Sequence, residues 1–246
     1  MENAIASDTP ANHLPFTGTS AGPGDQSRLR QITGLLQYLT MTRPDIVVAL
    51  NKVSKKQCSP TAEDMIAAHK IVRYVAGTLD YGITYSGSDT TLIGSADASF
   101  ANESNFRSRS GHCFTLGDSN GVISFHSSVQ TLTAQSTQEA EVIALNECSR
   151  DLAHFRQLLA FLGHSQSTPT RLKEDNNGAL AFATGRGSQD RTRHIGVRYH
   201  YIKDQVQNGI SIVEYVDTKL QLADIFTKIL LPENHSTQVS RIMGTL

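Results

Sequence analysis

The chain has 246 residues, 39% hydrophobic and 18% charged, enough for one large domain, or a domain with an appended helical piece, around a sizeable core. Its formal net charge of -1 excludes a globally basic character, so any contact with nucleic acid must rest on local patches. Cys58, Cys113 and Cys148 are far apart and lack C-x-x-C spacing, which predicts buried free thiols in a reducing compartment rather than a disulfide framework or a zinc site.

Residues 1–26 are rich in Ser, Thr, Pro, Gly and Asn without periodicity and read as a disordered arm. They begin with MENAIASDTP, which has neither a basic nor an apolar leader region. From 27 the pattern turns helical. RLRQITGLLQYLTMT places Leu29, Ile32, Leu35, Leu36 and Leu39 on one face. Pro44 suits the first turn of a second helix, DIVVALNKVSKKQ. A third, AEDMIAAHKIVRYVAGT, opens with Glu63 and Asp64 where the helix dipole favours acids, and Gly77 is its natural stop. Residues 27–80 therefore read as a small bundle of three helices.

Short β segments follow: YGITYSG, TLIGSAD, GHCFTLG, GVISFHS and VQTLT, separated by turn residues. A long helix is predicted over 137–162, then a strand RLKED, helices opening at NNGALAFA and RHIGVRYHYIKDQVQ, a strand ISIVEYV and a helix LQLADIFTKIL. Hairpins followed by strand–helix–strand crossovers imply an α/β fold, a mixed sheet with flanking helices. Residues 232–246 read as a C-terminal tail. No apolar run approaches the ~20 residues that a membrane span requires.

Acids recur where a sheet would gather them. Asp97 ends TLIGSAD, Asp175 ends RLKED, and Asp224 lies early in LQLADIFTKIL. Each alone suits a cap or a strand exit. Together they match the demand of a two-metal phosphodiester site, three or four carboxylates converging on oxygen-seeking divalent ions. In the long helix, Leu145, Cys148, Leu152, Phe155, Leu159 and Leu162 form the seam that should face the sheet. Four residues before Leu145 stands Glu141, and a buried acid there is costly unless something pairs with it. Glu139 falls nearer the flank, so the spacing favours Glu141 over it.

The ordered strings GSADASFA, RSRSGHCFTLGDSNGVISFHSS, STQEAEVIAL, EDNNGALA, RTRHIGVRYHYIKDQVQNG and EYVDTKLQLADIFTK resemble the ribonuclease H domain of copia-type retrotransposon Pol polyproteins. The preceding stretch, from GLLQYLTMTRPDI to YGITYS, resembles the thumb-like end of the reverse transcriptase in the same polyproteins. The resemblance spans roughly residues 30–231. It implies a ribonuclease H-like fold over 81–231 and cleavage of the RNA strand of RNA–DNA hybrids with two Mg²⁺ or Mn²⁺ ions. It implies Asp97, Glu141, Asp175 and Asp224 as catalytic metal ligands, a polymerase half outside this chain as partner, and an intracellular setting in virus-like particles or the nucleus. Ser95, Ala96, Ser99, Phe100, Phe125 and Val142 stand where the family usually carries other residues. The alternative is therefore a catalytically inactive, retroelement-derived binding module. An integrase-type strand transferase would need a different acid spacing.

The stretch GRGSQDRTRHIGVRYHYIK carries Arg186, Arg191, Arg193, Arg198 and Lys203 against one acid, Asp190. It reads either as a phosphate-contacting strip beside Asp175 or as a solvated basic helix face. His194 and His200 are six apart, which does not suit a metal pair on one helix face. Asn176 can contact the hybrid backbone or cap the following helix. Lys52, Lys55 and Lys56 form a second candidate rim, on the helical region.

Overall fold

The structure, a computed structural model, describes residues 6–12, 23–185 and 196–245. In chain order its elements are α1 (Pro23–Leu39), a 3-10 turn (Pro44–Ile46) running into α2 (Val47–Ser54), α3 (Ala62–Ala76), β1 (Leu92–Ser99), β2 (Arg109–Leu116) and β3 (Val122–Val129). Then come α4 (Thr137–Phe161), β4 (Thr170–Glu174), α5 (Asn177–Ala183), α6 (Gly196–Gln207) and β5 (Ser211–Tyr215). Two 3-10 turns, Thr218–Leu220 and Leu222–Phe226, precede α7 (Pro232–Met243). The chain divides into two compact units, Met1–Ile83 with Ile229–Met243, and Thr84–Lys228 with Gly244–Leu246.

In the helical unit, Thr61 and Asp64 cap α3 reciprocally. The Thr61 hydroxyl accepts from the Asp64 N–H, and the Asp64 carboxylate accepts from the Thr61 N–H. The core joins Leu29, Leu36, Ile46, Leu50, Met65, Ala68, Ile71 and Tyr74. Leu35, expected on the same face as Leu29, is 73% exposed: the inward row is Leu29, Thr33 and Leu36 of α1, continued by Thr40 just past its end, and the two threonines turn their hydroxyls back onto helix carbonyls. A buried polar knot holds this unit. Asp45 takes the guanidinium of Arg43 at 2.8 Å and the hydroxyl of Tyr74 at 2.6 Å, while Arg43 also donates to the Thr78 carbonyl. The His235 ring of α7 meets Tyr74 edge-on, with Val239 and Ile242 buried beside it, so 232–243 is a docked helix and not merely a tail. Residues 6–12, assigned from composition to a disordered arm, are also placed here: Ala11 packs on the core and Asn12 accepts from Lys70. The rest of that arm lies mostly outside the described residues. Cys113 and Cys148 are buried free thiols; Cys58 is exposed, against expectation.

The second unit is built on a five-stranded sheet of order β3-β2-β1-β4-β5. β1, β2 and β3 are antiparallel neighbours, while β4 runs parallel to both β1 and β5. This is the ribonuclease H-like mixed sheet with flanking helices that the sequence implied. α4 lies on one face, burying Leu145, Cys148 and Leu152 against Leu92, Ala96, Phe114 and Leu172. Its close approach depends on Gly94, where a Cβ would stand 2.6 Å from Leu172 Cδ2 and 3.3 Å from the Cys148 sulfur.

Three sequence expectations are corrected. YGITYSG forms no strand: residues 84–86 are tied to 120–122 by isolated bonds, Gly121 N–H to the Thr84 carbonyl and Ser86 N–H to Asn120, instead of a ladder. VQTLT contributes only its Val129, to β3. The segment LQLADIFTKIL is not an α-helix, because Gln221 is extended between the two 3-10 turns and spends its side-chain amide on the carbonyls of Ala96 and Lys173. Tertiary hydrogen bonds there override helical periodicity.

Candidate metal centre

The parity of β1 fixes where Asp97 points. Leu92 and Ala96 face α4, so Asp97, like Ser95, faces the other side of the sheet, where the turn 222–228 lies. Opposite Asp97 on β2 stands Gly111. A Cβ at Gly111 would sit 2.6 Å from Thr227 Cγ2 and 3.0 Å from the Phe226 backbone carbon, so only glycine lets the turn come this close. The closeness allows the Thr227 hydroxyl to donate to Asp97 Oδ2. Glu141 reaches the same place from the first turns of α4, receiving a backbone hydrogen bond from Ala98. Asp175 follows β4 directly, before the N-cap of α5. One carboxylate oxygen from each of Asp97, Glu141 and Asp175 lies within 4.8 Å of the others, and no other such group of three potential ligands occurs among the described residues. Asp224 joins through a side-chain hydrogen bond to Asp97, and Lys228 Nζ lies 2.7 Å from Asp224 Oδ1 and 3.9 Å from Asp97 Oδ2.

The electrostatics express crowding. Burial, then the neighbouring charges of Asp97, Glu174 and Asp175, pushes the Glu141 carboxyl up to about 11. Burial and Asp97 push Asp224 up to about 7, with Lys228 pulling the other way. Burial also raises Asp97, against the opposing pull of Lys228 and Thr227. Glu174, which the sequence reading missed, is fully buried beside these groups. One of its oxygens accepts from the Asn176 N–H; the other has no hydrogen-bond partner, and neither does Glu141 Oε2. The signal was present in strand parity, because Glu174 continues the inward row of Thr170 and Leu172. Lys228 was equally visible, four residues after Asp224.

The donor set is all carboxylate, suited to a hard cation that prefers oxygen. Buried acids in excess of the single nearby lysine, with two orphaned oxygens, fit a divalent ion better than they fit an empty apolar core. Glu139 is turned elsewhere: it is buried at the N-terminus of α4 and accepts from the Gln135 N–H. Asn176 caps α5, its side chain accepting from the Ala179 N–H at 3.0 Å. Arg198 and Lys203 are half-buried on α6, Lys203 lying along the Tyr199 ring at 6.0 Å, and His200 is exposed on the same helix. Arg186, Arg191, Arg193 and His194 lie outside the described residues.

No family model matches the chain. The retrovirus-related Pol polyprotein from transposon RE2 of Arabidopsis thaliana is 36% identical over 208 residues, covering 84% of this chain and 14% of that protein. The corresponding polyprotein from transposon TNT 1-94 of Nicotiana tabacum is 33% identical over 254 residues, covering 99% of this chain and 19% of that protein. The chain thus spans less than a fifth of the length of these relatives. Among solved structures, LC11-RNase H1 in complex with an RNA/DNA hybrid aligns with a TM-score of 0.42 and 13% identity, over 55% of this chain and 93% of that one. A foamy viral protease-reverse transcriptase in complex with an RNA/DNA hybrid aligns at 0.40 with 15% identity, over 63% of this chain and 22% of that one. By sequence, the chain is homologous to a segment of the retrovirus-related Pol polyproteins of copia-type transposons.

Proposed function

We propose that this chain is a ribonuclease H, hydrolysing the RNA strand of RNA–DNA hybrids with two Mg²⁺ or Mn²⁺ ions held by Asp97, Glu141, Asp175 and Asp224. The observation that carries the reading is the convergence of Asp97, Glu141 and Asp175 within 4.8 Å, beside an orphaned Glu141 oxygen. Bound divalent ions would supply an activated water and charge neutralisation at the leaving 3′ oxygen. The chain's own residues prepare for this. Thr227 fixes the rotamer of Asp97, Ala98 holds Glu141, and Gln221 ties the ends of β1 and β4 together, setting the spacing of Asp97 and Asp175. Arg198 and Lys203, with Arg186, Arg191 and Arg193 from the sequence alone, would contact phosphates beside Asp175, and the amide of Asn176 can reach the hybrid backbone while its oxygen caps α5. Discrimination of RNA would fall to the 2′-hydroxyl and groove width. Kinship with Pol polyproteins supports a role in reverse transcription, and with it the proposal of a polymerase half as partner and an intracellular setting. The convergence favours this reading over an inactive binding module.

The test presents labelled RNA–DNA hybrid, double-stranded RNA and double-stranded DNA with Mg²⁺. Cleavage should be confined to the RNA strand of the hybrid. Equal cleavage of double-stranded DNA, or hybrid binding without any cleavage, would overturn the proposal.

A further inference from the structure

Lys228 is the feature of the acidic cluster that carboxylate chemistry leaves unexplained. Its ammonium stands 2.7 Å from Asp224 Oδ1 and 3.9 Å from Asp97 Oδ2, with 35% of its side chain exposed against 3% for Asp97. An exposed i,i+4 pair would contribute little and would engage one acid. Here the ammonium serves two acids, both of them buried. The turn that carries it is fixed on both sides, by the Thr227 hydroxyl on Asp97 and by Gln221 on the Ala96 carbonyl. The basic residues of β4 are not directed here: Arg171 and Lys173 both pair with Asp118.

Resting on the metal-site reading above, we propose that Lys228 is a tethered counter-cation that stands between Asp97 and Asp224 and competes with a divalent ion for that pair. The ammonium stabilises the cluster when no metal is bound. Loading the pair requires the Lys228 stem, already partly in solvent, to swing its charge outward. A hybrid phosphate arriving at the site would offer that charge a new partner, so nucleic acid and metal would favour one another there.

The test is a calorimetric titration of the whole chain with Mn²⁺ alone, at fixed pH and ionic strength. It compares wild type, Lys228→Gln, Lys228→Arg and Asp97→Asn, alongside thermal melts in chelator. Lys228→Gln should bind Mn²⁺ at least about tenfold tighter than wild type and melt lower in chelator. Lys228→Arg should stay within about threefold of wild type in affinity. Should Lys228→Gln fail to fold, Lys228→Met, which keeps the packing of the stem, carries the same comparison. Unchanged or weaker Mn²⁺ affinity in the charge-removing variants would overturn the competing role. If wild type binds and Asp97→Asn does not, that failure belongs to Lys228 alone. Absence of Mn²⁺ binding in folded wild type would overturn the metal-site reading and this inference together.

Discussion

Glu141→Gln isolates the cost of the acidic cluster. Glu141 is only 4% exposed, one of its oxygens has no hydrogen-bond partner, and burial with its acidic neighbours pushes its carboxyl from 4.5 up to about 11. Without metal, the folded protein therefore keeps Glu141 protonated at pH 7 while the unfolded chain releases the proton. The folded-state value is raised, so the contribution of this group is fully favourable below about pH 4.5 and is lost progressively as pH rises toward about 11. From 4.5 to 7 the loss is about 3 kcal/mol, at 1.36 kcal/mol per pH unit. Glutamine has nearly the same shape, needs no proton, and can direct an amide N–H at the neighbouring carboxylates. In chelator at pH 7, Glu141→Gln should raise the melting temperature by about 6–12 °C, and at pH 4.5 by nearly nothing. Excess Mn²⁺ should narrow or reverse the difference, since the variant gives up a ligand. Melts followed by circular dichroism between pH 4.5 and 8, with and without Mn²⁺, decide it. A variant less stable than wild type in chelator at pH 7, or a gain independent of pH, would mean that the buried Glu141 carboxyl carries no such cost.

Gly111→Ala should destabilise the sheet unit by about 1–3 kcal/mol, because the new Cβ meets Thr227 and the Phe226 backbone, and should weaken Mn²⁺ binding by moving Thr227 off Asp97. Paired chemical denaturation and Mn²⁺ titration check this; a fully stable variant with wild-type affinity would contradict it. Arg198→Ala and Lys203→Ala should each lower the salt slope of hybrid binding by about one and leave Mn²⁺ affinity in the absence of nucleic acid unchanged. Fluorescence anisotropy across a salt series measures the slope, and an unaltered slope in both would make the α6 side chains bystanders.

Much of the fold was legible because its elements follow simple periods. The row from Leu145 to Leu159 announces α4, and alternation in TRLKE announces β4. The placement of Glu141 followed from the same row, since a helix that buries Leu145 carries Glu141 one turn back toward the strand ends. What escaped was set by tertiary contacts. Gln221 breaks a helix-like segment because its amide finds Ala96 and Lys173, partners far away in sequence. Leu35 is exposed because Thr33 and Thr40 can bury polar side chains whose hydroxyls bond within the helix. Thr227 and Gly111 matter only through their closeness to Asp97, and neither residue type announces that in a string of letters.

If Asp97, Glu141, Asp175 and Asp224 hold metal for cleavage of RNA in a hybrid, removing one of these carboxylates must remove the cleavage. The direct measurement is the rate of RNA-strand hydrolysis in an end-labelled RNA–DNA hybrid with Mn²⁺, for wild type and for Asp97→Asn shown to be folded. Wild type should show metal-dependent cleavage, abolished by chelator and reduced by at least about a hundredfold in Asp97→Asn, the scale expected for removing a group from the charge-stabilising machinery. Equal rates in the two proteins, or no cleavage by folded wild type with Mn²⁺ bound, would contradict this role of the four carboxylates.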